Sequence, residues 1–207
     1  MITPPPLKSS DTVAIISTAR KITTAELQPA ISWLEEKGLK VKLGKTIGAA
    51  QHQFAGNDQL RAQDLQAMID DEGVRAIWFA RGGYGTVRII DAIDCSKLQR
   101  QPKWLIGYSD LSVILNHVSR QLGLISLHAT MPVNVATNTP EALDSLWQLL
   151  QGNNINYNAP YHNLNRTGTA QGGLVGGNLS VLYSLTGSRS FPETDRKSTR
   201  LNSSHYS

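Results

Sequence analysis

The stretch Val74–Leu111, VRAIWFARGGYGTVRIIDAIDCSKLQRQPKWLIGYSDL, decides the fold. Two apolar runs in it, Ala76–Ala80 and Trp104–Ile106, read as strands, and each empties into a glycine-bearing loop. The first loop is Arg81-Gly82-Gly83-Tyr84-Gly85 and the second is Gly107-Tyr108-Ser109-Asp110. Leu111, Ile114, Leu115, Val118 and Leu122 then recur at helical spacing. In an open α/β sheet, loops leaving the carboxyl ends of adjacent parallel strands meet in one crevice, where ligands bind. A serine on a sharp strand-to-helix turn has the geometry of a nucleophile elbow, which makes Ser109 the candidate nucleophile.

The same alternation runs outward in both directions. Upstream, Thr12–Ser17 reads as a buried strand, and Ser17-Thr18-Ala19 as a small-residue loop lining the same crevice. Leu27, Ala30, Ile31 and Leu34 mark a helix over residues 24–37, Leu39–Leu43 a second strand, and Asn57 or Asp58 the cap of a helix carrying Leu60, Leu65, Met68 and Ile69. Pro4-Pro5-Pro6 reads as a stiff, exposed leader. Thr86–Ile93 predicts one short helix. Downstream, Leu124–Leu127 predicts a strand ending at His128, and Thr139 caps a helix with Leu143, Leu146, Trp147 and Leu150 on one face. Strands alternating with helices at this spacing imply βαβ units and a parallel sheet, so residues 1–152 are expected to form a complete doubly wound α/β domain.

At Gly152 the texture changes. Residues 153–168 are polar and asparagine-rich and read as a linker. Residues 169–195 read as the start of a second unit, with Gly172-Gly173-Leu174-Val175-Gly176-Gly177-Asn178 leading into a short helix of Leu179, Leu182 and Leu185. Residues 196–207, RKSTRLNSSHYS, lack periodicity and resemble translated vector sequence, a non-native tail.

Composition narrows the function classes. At 207 residues and 40% hydrophobic the chain can bury a real core. Its one cysteine, Cys95, excludes a disulfide framework and any CxxC metal or redox motif, and neither a metal nor a cofactor is expected. Arg196, Lys197 and Arg200 account for three of the four net positive charges, which leaves no basic footprint for nucleic acid. No apolar run approaches the roughly 20 residues of a membrane span, and the polar start lacks a signal-peptide core. A cytoplasmic location is the simplest reading.

The candidate chemistry has competing readings. Gly107-Tyr108-Ser109 keeps the G-x-S part of the elbow but has Leu111 in place of the last glycine, and a serine before a helix also serves as an N-cap. Backbone N–H groups at Asp110 and Gly83 would form an oxyanion hole, while the Asp110 side chain caps or orients. Tyr84 would cover the substrate and Arg81 stands at the head of the same loop. GGYG matches neither G-x-G-x-x-G nor a P-loop, which weakens a sugar- or phosphate-binding module without excluding it. A serine nucleophile needs a base. His128 ends a strand at the same sheet edge and is the one tempting candidate, although a loop histidine satisfying local backbone groups is the stronger reading of it. His117 lies too far along its helix, His52 and His162 sit in polar loops, and His205 is in the tail.

ISTAR, ARGGYG, IGYSD, LHATMP and GGNLSVLYSLTGS, in this order, resemble the LD-carboxypeptidase family, muramoyl-tetrapeptide carboxypeptidases and the related microcin-immunity peptidases. The resemblance implies a flavodoxin-like N-terminal domain, a smaller β-rich C-terminal domain, and a Ser-His-Glu triad whose serine is Ser109. It implies a small peptide substrate, a muropeptide, from which a terminal D-alanine is released. In the family the triad glutamate and histidine lie beyond the GGNL segment. Glu193 precedes the glutamate's position and is not assigned that role, and Ala129 stands where the family usually has glycine. The chain is therefore expected to be truncated in its C-terminal domain, to turn over poorly, and to aggregate or form a homodimer through exposed apolar surface.

Overall fold

The structure, a computed structural model, describes residues 1–194 except Ala159 and Ala170; the expected tail at 196–207 lies outside the described residues. Five parallel strands, β1 (Thr12–Ile16), β2 (Lys40–Leu43), β3 (Val74–Phe79), β4 (Trp104–Gly107) and β5 (Leu127–His128), form one sheet in the order β2-β1-β3-β4-β5. This is the flavodoxin-like doubly wound order, whose switch point lies between β1 and β3.

Strand alternation builds two cores. Ile77 and Phe79 of β3 face one side with Leu65, Met68 and Ile69 of helix α2 (Asp58–Asp70), while Ala76 and Trp78 face the other with Leu27, Ala30 and Leu34 of helix α1 (Thr24–Glu36). Local chemistry sets the helix starts. Thr23 and Glu26 close a capping box on α1, and Asn57 accepts the Leu60 N–H at 2.7 Å on α2. Two short helices, α3 (Thr86–Ile89) and α4 (Lys97–Arg100), precede β4; α5 (Ser112–Leu122) follows the Ser109 turn, and α6 (Pro140–Leu150) starts at its Thr139 cap.

Three expectations need correction, and two short elements go unannounced in the sequence. The helix expected over Thr86–Ile93 is the four-residue α3 followed by a tighter turn at Ile90–Ala92. The strand expected at Leu124–Leu127 is only Leu127–His128, because the N-terminus captures the earlier residues: Ile2 N–H donates to Gly123 O at 2.7 Å and Ile125 N–H to Ile2 O at 2.9 Å. The proline leader is likewise strapped down. Pro4 is buried, Leu7 N–H donates to Leu150 O at 2.8 Å, and the Trp104 indole donates to Pro5 O at 2.9 Å. Finally, α4 and a 3-10 segment at Pro132–Thr137 carry no periodicity that announces them.

The described residues after α6 contain one helix, α7 (Leu179–Ser184), and no named strand. Residues 176–190 lie along α5. Asn178 N–H donates to Ser112 Oγ at 2.9 Å, Asn116 Nδ2 donates to Gly176 O at 3.0 Å, and Leu185 enters the α5-side core. A side chain at Gly177 would put its Cβ 2.5 Å from Ser112 Oγ, so this close approach requires glycine.

Candidate active site

Ser109 sits at the carboxyl end of β4 with φ +63°, one of three described non-glycine residues in the left-handed region. An L-residue there costs about 1–2 kcal/mol, and such strain persists where the surroundings over-determine it. What surrounds Ser109 is the loop after β3. A side chain at Gly82 would place its Cβ 3.2 Å from Ser109 Cβ, 3.4 Å from Ser109 Oγ and 3.6 Å from Asp110 N. Gly82 is thus the residue seated against the serine. Gly83, with φ +130°, instead turns its vacant face to Arg20, whose Cγ and Cδ would lie 2.7 and 2.8 Å from a Cβ there. Among the described residues, neither the Gly83 nor the Asp110 N–H is engaged in a hydrogen bond, so both amides are available to a ligand.

The Asp110 side chain points away from the crevice and is buried. Its Oδ2 accepts from Thr86 N at 2.9 Å and from Thr86 Oγ1 at 2.7 Å, which caps α3 just after the Arg81–Gly85 loop. Thr86 spends its one hydroxyl proton on that carboxylate, so at 2.7 Å the Thr18 hydroxyl must donate to Thr86 Oγ1. Thr18 O accepts in turn from Arg61, fully buried on α2 and paired with Asp58. Burial lowers the Arg61 pKa against the opposing pull of Asp58. The loops after β1, β3 and β4 are therefore tied together by one buried chain of hydrogen bonds. A neighbouring carboxylate does the same for the loop after β2: Asp64 accepts from Lys45 N, Thr46 N and Thr46 Oγ1, and Thr46 Oγ1 accepts from Ser17 N at 2.9 Å.

The other candidates ring this centre. Tyr84 is exposed, its ring 6.3 Å from that of Phe54. Arg81 turns back toward the loop after β1, with Nη1 3.7 Å from Glu26 and donating to Lys21 O at 3.3 Å. His128 pairs with Gly107 in the β4–β5 register and its ring lies 6.0 Å from that of Tyr108. Tyr108, His128, Thr130, Asn134 and Asn138 are among the residues lining an open cleft of about 380 Å³, which Ser109 itself does not line, and the Tyr108 hydroxyl donates to Asn134 Oδ1 at 3.0 Å.

Two groups are placed where they cannot serve Ser109. His117 is eight residues further on, roughly 12 Å along the helical rise, and its Nδ1 lies 2.8 Å from Ser190 Oγ in a buried contact. Glu193 pairs with Arg120 at the far end of α5. Cys95 is inert as a nucleophile, since burial pushes its thiol up to about 11.

Arg20, Thr86 and Arg61 are the site residues that pattern reading passes over, while Thr18 and Gly82 are placed in the right loops without their roles. Thr86 carries a faint signal, a hydroxyl directly after a glycine-rich loop. Arg61 carries none, because an arginine on a polar helix reads as solvent-facing. Residues 13–129, which include every one of these side chains, match the LD-carboxypeptidase N-terminal domain. The chain belongs to the LD-carboxypeptidase family. It is 36% identical over 189 residues to a Bacillus subtilis protein named "probable murein peptide carboxypeptidase", covering 89% of this chain and 59% of that one. It is 33% identical over 187 residues to the murein tetrapeptide carboxypeptidase of Pseudomonas aeruginosa, covering 84% and 60%. This LD-carboxypeptidase chain thus spans about 60% of the length of those curated relatives. A microcin C7 self-immunity protein shares the fold at TM-score 0.83 and 20% identity, over 96% of this chain and 69% of that one. The muramoyltetrapeptide carboxypeptidase of Oxalobacter formigenes does so at TM-score 0.75 and 24% identity, over 88% and 62%.

Proposed function

We propose that these residues form the nucleophile-bearing part of a serine-type LD-carboxypeptidase that releases the terminal D-alanine from muropeptide tetrapeptides during cytoplasmic cell-wall recycling. The observation that carries the reading is Ser109 itself, a strained residue at the sheet edge with a glycine against its hydroxyl and unengaged amides alongside. Ser109 Oγ attacks the carbonyl preceding D-alanine. The Gly83 and Asp110 N–H groups hold the resulting oxyanion, collapse expels the D-alanine amine, and water then clears the acyl-serine. Tyr84, Arg81 and His128 flank the bound peptide.

The base and its orienting carboxylate are the least supplied part of the site, because His117 and Glu193 are committed elsewhere. In this reading they belong to a C-terminal domain that begins at residues 169–195, and residues 1–207 alone turn over weakly. Identities of 36% and 33% to proteins named for murein peptides favour this substrate over that of the microcin self-immunity protein, which is 22% identical. Tyr157, Tyr161, Leu164, Leu174 and Tyr183 are large apolar residues left exposed, which supports self-association into a homodimer, readable by sedimentation.

The test compares the chain as given with residues 1–194 continued by the C-terminal part of the Bacillus subtilis relative. D-alanine release from a muramyl tetrapeptide is expected from the continued protein and scarcely from the chain alone. Equal hydrolysis of an all-L tetrapeptide, or cleavage of an aminoacyl-nucleotide in preference, would overturn the substrate assignment. Ligand binding unchanged by Ser109→Ala without any hydrolysis would favour a binding module.

A further inference from the structure

The guanidinium of Arg20 has no ion-pair partner among the described residues, and its stem lies against the loop that seats Gly82 on the proposed nucleophile. Its stem crosses the Arg81–Gly85 loop at Gly83, occupying the space that a side chain at that position would need. Gly83 follows Gly82, and Gly82 abuts Ser109 Cβ and Oγ, so the sequence of contacts from serine to arginine is two residues long. The backbone of Arg20 is fixed as well. Its carbonyl accepts from Ser17 Oγ at 2.6 Å, and the residue bridges to Phe54 across the neighbouring loop. The other arginine at this mouth, Arg81, is already occupied by Glu26 and Lys21 O.

We propose that Arg20 is the specificity residue that anchors the free α-carboxylate of the departing C-terminal residue. The inference rests on the reading of Ser109 as nucleophile. In a peptide the terminal carboxylate carbon follows the scissile carbonyl by three bonds, about 3–4 Å, so its anchor must reach in from a loop beside the serine, as the long side chain of Arg20 can from its place over Gly83. A planar guanidinium offers two parallel N–H donors to a carboxylate, which neither a neutral amide end nor an extended chain can match. Arg20 touches the substrate rather than the reacting bond, and its loss should raise KM more than it lowers kcat.

The experiment uses the chain with Ser109→Ala, which cannot hydrolyse, and two probes: a tetrapeptide ending in D-alanine as the free acid, and the same peptide as its C-terminal amide. Calorimetry is expected to show the free acid binding at least about tenfold more tightly than the amide, with that preference gone in the added Arg20→Gln and partly kept in Arg20→Lys. Lys21→Gln, a neighbouring cation removed, should leave the preference intact. Binding of neither peptide would overturn the substrate reading and the inference together. A preference that survives Arg20→Gln but is lost in Arg81→Gln would overturn the inference alone and give the anchor to Arg81. Circular dichroism of Arg20→Gln settles that the exposed substitution leaves the fold intact.

Discussion

Replacing Ser109 by glycine should stabilise the protein relative to replacing it by alanine, the reverse of the usual order. Both substitutions remove the hydroxyl, which makes no hydrogen bond among the described residues, so the loss of that group costs little in either case. They differ in the backbone. Alanine keeps the strain of φ +63°, worth about 1–2 kcal/mol for an L-residue, whereas glycine relieves it. Glycine also loses roughly 0.5–1 kcal/mol to the greater freedom of its unfolded chain. The difference favours Ser109→Gly by about 0.5–1 kcal/mol, or about 1–4 °C in Tm for a chain of this size. Removing the Ser109 Cβ from its contact with Gly82 adds no new cavity of consequence. Thermal and urea unfolding of the three proteins side by side provide the assay. If Ser109→Ala proves as stable as Ser109→Gly, the turn is not strained and the elbow geometry is wrong.

Three further outcomes follow from the same contacts. Thr86→Val leaves the Asp110 carboxylate with one donor instead of two and the Thr18 hydroxyl without its acceptor, which should cost roughly 1–3 kcal/mol by urea unfolding, with Thr86→Ser restoring most of it. Gly82→Ala puts a methyl over the Ser109 hydroxyl and the Asp110 amide, so D-alanine release by the continued protein should fall at least about tenfold while unfolding midpoints barely move. The third concerns His117, whose pKa burial lowers, assisted by Arg189 and opposed by Asp91. The unfolded chain then takes up a proton that the folded chain refuses, so stability present above the ordinary histidine pKa of 6.5 is lost as pH falls below it. The loss in Tm between about pH 7.5 and about pH 5.5 should be smaller in His117→Gln.

Much of the architecture was legible because it rests on local signals. Apolar runs marked β1, β3 and β4 to within a residue or two, and Asn57 and Thr139 announced two helix starts through side chains that bond their own first turn. The short β5 was misplaced because its competitor is the distant Ile2, a contact with no local trace. The site divides along the same line. Ser109 and the glycine loop stand out by spacing, whereas the carboxylate of Asp110, the hydroxyls of Thr86 and Thr18, and buried Arg61 gain their meaning only when the loops after three strands converge. Arg20 is the plainest case. As a sequence letter it is a loop arginine; in the fold it lies across the loop that faces the serine.

The most direct measurement is the mass of the enzyme caught during turnover. Residues 1–194 continued by a relative's C-terminal part would be mixed with a muramyl tetrapeptide, quenched in acid and digested. A peptide containing Ser109 should appear heavier by the mass of the substrate less D-alanine. Release of D-alanine at an undiminished rate from Ser109→Ala, with no acylated Ser109 in the parent protein, would contradict it.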